Sequence, residues 1–428
     1  MSVFLSIIQL LTILLICIYE YKRKYTSVFL WAALLVMFGI PHFLSVLLGI
    51  TPYGSEVMIK ASFFVICFNL VYFITKLIII KVFPNYKPFV IKNSNLDKPS
   101  MKDKVLTSFL FILLTLSLII LLGFIIRHLG SLMNSSWGNL YTLNGELGFR
   151  SPLRYANFLL FASAGVALVF RYYNKHLLFY ISIGMIVFYS LLTGNRIIIL
   201  PAIMAVLIPL VFNKKRSISF KQVVLYGSLA CITIYTVYSL RLLRIYGGVY
   251  NFISDFNFTE VNNQILTMIL TGDGELGLRN AFYHFIYFNN YFENFNQGHT
   301  YIRLLLMPIP TGITGGIKPP DFAVSMGSAY ISDHINPNFS MHPTLYGDVF
   351  ANFWWFGILF GAFWAVFTYI LDKLINRRNV VIKITLMVLL CTVYIIIARG
   401  SVYNGLFIGF VGTIIIGSFY IMSKVRLR

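Results

Sequence analysis

The sequence predicts an all-α, polytopic membrane protein with about 11 transmembrane helices. The chain has 428 residues, of which 58% are hydrophobic and 11% are charged, and its mean hydropathy is +0.79. A soluble domain of this length cannot bury so much apolar surface. Mostly apolar runs of about 16–26 residues recur along the chain, and a helix of that length can cross hydrocarbon.

Eleven runs are apolar enough to span a bilayer. They lie at 2–19, 27–49, 57–82, 105–126, 155–170, 177–194, 197–213, 222–240, 349–371, 380–398 and 403–423. The fifth and seventh are short. We expect the first run to be a spanning helix, because it has neither a basic n-region nor a small-residue cleavage site.

The basic residues indicate an orientation. Of the 34 lysine and arginine residues, 23 lie in one set of alternate loops and in the C-terminal tail, and 11 lie in the other set. The positive-inside rule places the basic set in the cytoplasm, which predicts an external N-terminus and a cytoplasmic C-terminus. This orientation gives a cytoplasmic loop at 83–104, a smaller external loop at 127–154 and a large external loop at 241–348. Because the net charge of +20 is distributed over such loops, it does not indicate nucleic-acid binding.

The type of basic residue differs between the two sides. Nine of the 11 external cations are arginine, whereas 16 of the 23 cytoplasmic cations are lysine. Orientation requires only positive charge, but a planar guanidinium can bind phosphate through two hydrogen bonds at once. The sorting therefore predicts a site for an anionic ligand on the external face. The alternative is ordinary pairing of these arginines with carboxylates on the same side.

Six external arginines are candidates for binding a diphosphate: Arg196, Arg241, Arg244, Arg279, Arg303 and Arg399. Arg196 and Arg399 stand in tight hairpins between spans, where a charge close to hydrocarbon is costly and by default a functional candidate. An arginine that merely snorkels to the interface gives the same pattern. Arg279 has an alternative partner in Glu275, four residues earlier.

Two further candidates lie just before the ninth span. His342 and Asp348 are placed to act as a general base or as a hydrogen-bond donor. A purely structural histidine is an equal alternative, and Asp333 and His334 are second choices for the base. The sequence has no cysteine–histidine cluster, phosphate-binding loop or HExxH pattern, so neither a metal nor a cofactor is expected.

The large external loop also predicts structure of its own. Residues 278–295 form a helix-length stretch dense in phenylalanine and tyrosine, which is typical of a helix lying in the membrane interface. The glycine- and proline-broken turn at 311–320 predicts a lid over a cavity that opens to the outside.

The order of several external motifs resembles that of the Wzy-type polymerases of bacterial oligosaccharide repeat units, which include O-antigen polymerases. These motifs are Thr193-Gly-Asn-Arg196, Arg244-Ile-Tyr-Gly247, Tyr301-Ile-Arg303, Pro343-Thr-Leu-Tyr-Gly347 and Ala398-Arg-Gly400. The resemblance covers most of the chain through its architecture. His342 is a departure, because related chains can carry another residue before the Pro-Thr pair.

The resemblance implies a metal-independent glycosyltransferase of the bacterial inner membrane, acting at the periplasmic face in the biosynthesis of lipopolysaccharide or a related polysaccharide. It would transfer a growing glycan from undecaprenyl diphosphate to a lipid-linked repeat unit, with a flippase and a chain-length regulator as partners. The diphosphates would be bound by Arg196, Arg244, Arg303 and Arg399, and secondarily by Arg241 and Arg279. Arg196 and Arg399 would also stabilise the leaving diphosphate during the reaction. His342 or Asp348 would orient the attacking hydroxyl.

Two other functions stay open. An O-antigen ligase-like glycosyltransferase would share the membrane architecture, the lipid-linked donor and the arginine chemistry. A flippase or another transporter would have charges within its spans and short loops on both faces. The sequence indicates few charges within spans and one long external loop, which favours an enzyme.

Overall fold

The structure of the protein is a computed structural model that describes residues 1–51, 53–83, 99–128, 151–193, 195–212, 228, 257–271, 277–291, 299–309, 311–319, 323, 325–327, 341–376 and 379–425. Within these ranges the chain is helical and forms no β-strand. Nine of the described helices are long and apolar enough to cross a membrane. The chain is therefore built as a polytopic, all-α membrane protein.

Thirteen helices are described. They are α1 (Ser2–Arg23), α2 (Val28–Leu47), α3 (Ser55–Val82), α4 (Met101–Arg127), α5 (Pro152–Tyr172), α6 (His176–Thr193), α7 (Ile197–Phe212), α8 (Phe258–Thr271), α9 (Leu278–Tyr287), α10 (His299–Leu305), α11 (Thr344–Asn376), α12 (Val380–Ala398) and α13 (Val402–Val425). All except α7 to α10 are long enough to span, and α7 is a shorter apolar helix.

Nine predicted spans coincide with long helices, and the predicted seventh span coincides with α7. The predicted eighth span, 222–240, lies outside the described residues. The number of eleven and the orientation of the chain therefore stay predictions. Helix α4 begins at Met101, within the predicted cytoplasmic loop, because Ser100 and Asp103 form a reciprocal capping box there.

The helices divide between two compact units. Unit 1 consists of Met1–Phe89, Met268–Arg377 and Leu390–Phe410, and unit 2 consists of Val90–Thr267, Arg378–Leu389 and Val411–Arg428. Helices α12 and α13 each contribute residues to both units.

Close helix contacts form the core of unit 1. Helix α3 packs against both α1 and α11. A Cβ added to Gly361 of α11 would lie 2.5 Å from the backbone oxygen of Phe68 in α3, so glycine permits the backbones to approach here. Helix α2 contains a π-helical segment, Leu35–Gly39, and α11 is interrupted by a 3-10 segment, Trp354–Leu359.

Unit 2 has a similar close approach. Helix α4 packs against α5, which bends at Ala164 and Gly165 between two helical segments. A Cβ added to Gly165 would lie 2.6 Å from the Cα atom of Thr385 in the first part of α12. The small residue therefore permits contact between the two helices.

The aromatic stretch 278–295 differs from its predicted interfacial placement. Its described helix, α9, ends at Tyr287 and is buried over most of its length, packed against α3 and the first part of α11. Phe282 and Phe285 are fully buried. Aromatic residues on nearly every side of a short helix favour a buried position over an interfacial one with a polar face. The exposed aromatic residues, such as Tyr291, follow the helix.

Candidate functional site

The hairpin between α12 and α13 meets the start of α11 within unit 1. The backbone N–H of Thr344 donates a hydrogen bond to the carbonyl oxygen of Arg399 at 3.0 Å. Gly400 has a φ of +97°, and a Cβ there would lie 2.6 Å from the Thr344 nitrogen. Only glycine combines this conformation with this contact. Arg399 is thereby brought beside the Met341–Thr344 segment.

His342 lies in that segment, next to Arg399. Burial, together with the nearby Arg399 guanidinium, lowers the pKa of His342 to about 3. The imidazole is therefore neutral near pH 7. Its Nδ1 atom is buried and has no hydrogen-bond partner among the described residues. A neutral imidazole with an unpartnered nitrogen can accept or donate a hydrogen bond to a bound hydroxyl or phosphate.

Arg303 of α10 reaches the same end of unit 1. Its guanidinium lies over the ring of Tyr403, with the carbon 4.5 Å from the ring centroid, and Tyr403 is on the first turn of α13, four residues after Arg399. Arg303 also donates a hydrogen bond to the carbonyl oxygen of Pro319, while its Nε atom is buried and has no partner in the described part of the chain. These contacts hold the guanidinium plane beside the hairpin.

Lys318 adds another cation to this region. Its Nζ atom donates a hydrogen bond to the carbonyl oxygen of Ile309 at 2.8 Å. Burial lowers the pKa of Lys318, and Arg303 adds to the effect. We call Arg303, Lys318, His342, Arg399 and Tyr403 the Arg399 cluster. Arg303 lies near Lys318 and over the ring of Tyr403, and Arg399 lies near His342. The positive charge at this end of unit 1 favours an anion.

Asp348 has a different environment from the one predicted for a general base. It is 1% exposed, and its Oδ2 atom accepts a hydrogen bond of 3.2 Å from the Thr300 hydroxyl. Asn352 also bonds to Thr300 and to the backbone of Asp348. The carboxyl group makes no ion pair with a described residue. Asp348 therefore connects α11 to α10, whose next turn carries Arg303, and acts as a positioning residue.

Arg279 belongs to a separate buried network. It is 4% exposed and lies close to Tyr283 and His42. The Tyr283 hydroxyl lies 2.5 Å from His42 Nδ1, and His42 Nε2 lies 2.8 Å from the Ser62 hydroxyl. This network connects α9 to α2 and α3. The contacts assign Arg279 to the packing of unit 1.

Three predicted site residues are not placed. Arg241 and Arg244 lie outside the described residues, and only the backbone of Arg196 is described, in a 3-10 turn. The Asn195 side chain caps that turn by accepting a hydrogen bond from the Ile197 N–H at 3.1 Å. The second choices for the base, Asp333 and His334, are likewise outside the described part.

The sequence did not predict roles for Tyr403, Lys318 and Thr300, because none of them lies in a distinctive motif. The motif Ala398-Arg-Gly400 was the signal for this region, because an arginine beside a glycine in a tight hairpin indicates close backbone contact. No described group of three or more histidine, cysteine or acidic residues is arranged to hold a metal ion.

Comparisons with known proteins identify no relative. No protein-family model, curated protein or solved structure matches the chain significantly.

Proposed function

We propose that this protein is a membrane glycosyltransferase that joins undecaprenyl-diphosphate-linked oligosaccharide units into a surface polysaccharide at the periplasmic face of the bacterial inner membrane. The observation that carries the proposal is the Arg399 cluster. It gathers guanidinium groups and a neutral histidine at one end of unit 1, on the predicted external side.

The chemistry of such a cluster suits transfer from a lipid diphosphate. Breaking the anomeric bond leaves negative charge on the diphosphate, and fixed guanidinium donors stabilise that charge without reorganising. Arg303 and Arg399 would bind the diphosphate, with Lys318 contributing charge. His342 is neutral before the anion binds, so it can accept a hydrogen bond from the attacking sugar hydroxyl.

Substrate binding would also tune His342. An anion held by Arg399 offsets the guanidinium charge, which is the smaller of the two causes that lower the His342 pKa; burial is the larger and stays. The imidazole therefore becomes a somewhat stronger base when the lipid diphosphate is bound. The remaining predicted arginines, Arg196, Arg241 and Arg244, are proposed as ligands for the second lipid-linked unit.

The test is elongation in proteoliposomes. Purified full-length protein is supplied with lipid-linked repeat units, and the products are separated by length. We expect a ladder of products with the wild type. Arg399→Lys should lower the yield of elongated products at least tenfold, because lysine cannot bind phosphate in a bidentate manner. The control is Lys60→Arg, since Lys60 lies on the same predicted face and pairs, among the described residues, with the exposed Glu56. A full ladder from Arg399→Lys would contradict the assignment.

A ligase would differ in acceptor. It would move preassembled glycan to a second acceptor and would form no ladder from single repeat units. The same vesicles therefore separate the two reactions.

A transporter is the second candidate, and a specific observation favours it. Glu20, Lys76 and Asp372 are buried within spans of unit 1, which is more intramembrane charge than the sequence indicated. Buried ionisable groups and interrupted helices such as α11 are common in transporters. Movement of the lipid-linked unit across the vesicle membrane without elongation would establish this function instead.

A further inference from the structure

Three ionisable side chains meet inside unit 1, near the ends of α1, α3 and α11 that lie opposite the Arg399 cluster. Glu20 and Lys76 are 0% exposed, and Asp372 is 2% exposed. All three belong to candidate spans. Charged groups in such positions are costly unless they are paired and hydrogen-bonded, so the partners of each group decide its charge state.

Glu20 and Lys76 satisfy each other. The Lys76 Nζ atom lies 3.6 Å from Glu20 Oε1 and donates a hydrogen bond of 3.0 Å to the Thr368 hydroxyl. The hydroxyls of Tyr72 and Ser27 each donate a hydrogen bond of 2.7 Å to one carboxylate oxygen of Glu20. Both oxygens of Glu20 and the ammonium group are therefore engaged, as expected for a buried ion pair.

Asp372 is only half satisfied. Its Oδ1 atom accepts hydrogen bonds from the backbone N–H, at 3.1 Å, and from the hydroxyl of Thr26. Its Oδ2 atom is buried and has no hydrogen-bond partner in the described structure. The described ion pairs do not include Lys76 with Asp372. The hydroxyl of Tyr394 is close by, next to the Thr26 side chain.

The titratable groups around this carboxyl come from four elements. They are Glu20, Tyr25, Tyr72, Lys76, Cys391 and Tyr394. They comprise one cation, one carboxylate and four groups that are neutral near pH 7. Lys76 lies near both carboxyl groups and forms its ion pair with Glu20. One cation therefore serves two carboxyl groups, and ionisation of both would leave a net negative charge in the interior.

We propose that Asp372 is a proton-binding site within the membrane, and that the proton sits on Oδ2. Protonation forms one O–H bond from a proton supplied by water, and release returns it to water. The neutral acid needs no counter-charge, and its O–H group can donate to an oxygen such as the nearby Tyr394 hydroxyl. A proton suits the site better than a metal ion, because the described residues offer no cluster of ligating side chains there. This site is independent of the proposed transferase and would supply the coupling ion for a transporter.

Infrared spectroscopy of the purified full-length protein tests the proposal directly. A neutral carboxylic acid has a C=O stretching band that an ionised carboxylate lacks. At pH 7 we expect such a band in the wild type, and we expect Asp372→Asn to weaken it. Asp348→Asn is the matched control, because Asp348 is the other buried aspartate of α11 and can give a band of its own. Labelling with [13C]aspartate assigns the band to aspartate, and labelled Asp348→Asn assigns what is left of it to Asp372 even if Asp372→Asn fails to fold.

Stability against pH provides a second measurement. If the folded protein holds a proton that the unfolded chain releases, its folding equilibrium constant falls by up to about tenfold per pH unit from the unfolded pKa of about 3.9 up to the folded pKa, and it levels off above that. The apparent Tm of the wild type should therefore fall more steeply than that of Asp372→Asn between about pH 4.5 and 7.

Three results would overturn the proposal. One is the absence of a neutral-acid band in the wild type at pH 7. Another is an identical band in Asp372→Asn. The third is a higher Tm in NaCl than in choline chloride, at constant ionic strength, that Asp372→Asn abolishes. That result would assign the site to sodium.

Discussion

Replacing Gly400 with alanine should separate the two halves of the Arg399 cluster. The glycine has a φ of +97°, and an added Cβ would lie 2.6 Å from the nitrogen and 2.8 Å from the oxygen of Thr344. Both atoms belong to backbone, so neither can rotate away as a flexible side chain can. The hairpin that carries Arg399 must therefore move away from the segment that carries His342.

The magnitude follows from two contributions. The unfavourable φ costs roughly 1–3 kcal/mol for a residue with a Cβ. Displacing closely packed atoms costs typically about 1–3 kcal/mol more. Together they predict that Gly400→Ala lowers the free energy of unfolding by about 2–6 kcal/mol, which is a large fraction of the stability of an ordinary domain.

Gly49→Ala is the matched control for the backbone contribution. Gly49 has a φ of +68°, and a Cβ there would meet no atom within 4 Å. Gly49→Ala therefore measures the cost of a side chain at positive φ without a steric contact. The apparent Tm of each purified variant and its elongation activity are compared with the wild type. We expect Gly400→Ala to lower the Tm clearly more than Gly49→Ala and to reduce elongation strongly, whereas Gly49→Ala should keep it.

The reasoning is refuted by equal losses of Tm in the two variants, since the contact with Thr344 would then contribute nothing. Gly400→Ser is a useful repeat, because serine adds the same Cβ with a small polar extension.

Three further predictions concern the cluster and its support. Asp348→Asn should keep the wild-type Tm, with full elongation, because the amide oxygen still accepts the hydrogen bond from Thr300. A hundredfold loss of elongation would show that Asp348 takes part in the reaction. The pKa of His342 in the folded protein is lowered to about 3. The folded state therefore binds fewer protons than the unfolded state between about pH 3 and 6.5, and folding stability falls as the pH drops through that window. His342→Gln should remove up to about 2.7 kcal/mol of this loss at pH 4.5, and identical Tm–pH curves for the two proteins would contradict it. Arg303→Lys should lower elongation about 10- to 100-fold, because lysine loses the stacking on Tyr403 and the planar donors; an unchanged rate under limiting substrate would argue against a role for its guanidinium plane.

The helical spans were predictable because length and apolarity are local properties of the chain. Helix α12 has the bounds expected from hydropathy, and α1 and α3 differ only by a few residues at their ends. The prediction for 278–295 was wrong for the described helix, because aromatic density alone does not distinguish a buried helix from an interfacial one.

Part of the candidate site was also predictable. Arg399 and His342 stood out because a charge in a tight hairpin and a histidine beside a helix entrance have few ordinary explanations. Their proximity was not readable, since it depends on contact between Gly400 and Thr344, which are 56 residues apart. The positioning role of Asp348 depends on Thr300, 48 residues away along the chain.

The amino-acid order alone specified a multi-pass helical protein and predicts that arginine is concentrated on one side, since both follow from counting residues along local segments. Folding decided which of those charges are neighbours and which carboxyl groups lose their partners. Asp372 shows the difference: its hydrogen bonds come from Thr26, 346 residues away, its other oxygen has no hydrogen-bond partner in the described structure, and the described ion pair of Lys76 is with Glu20. Such pairing depends on distances across packed helices, which no local pattern of residues encodes.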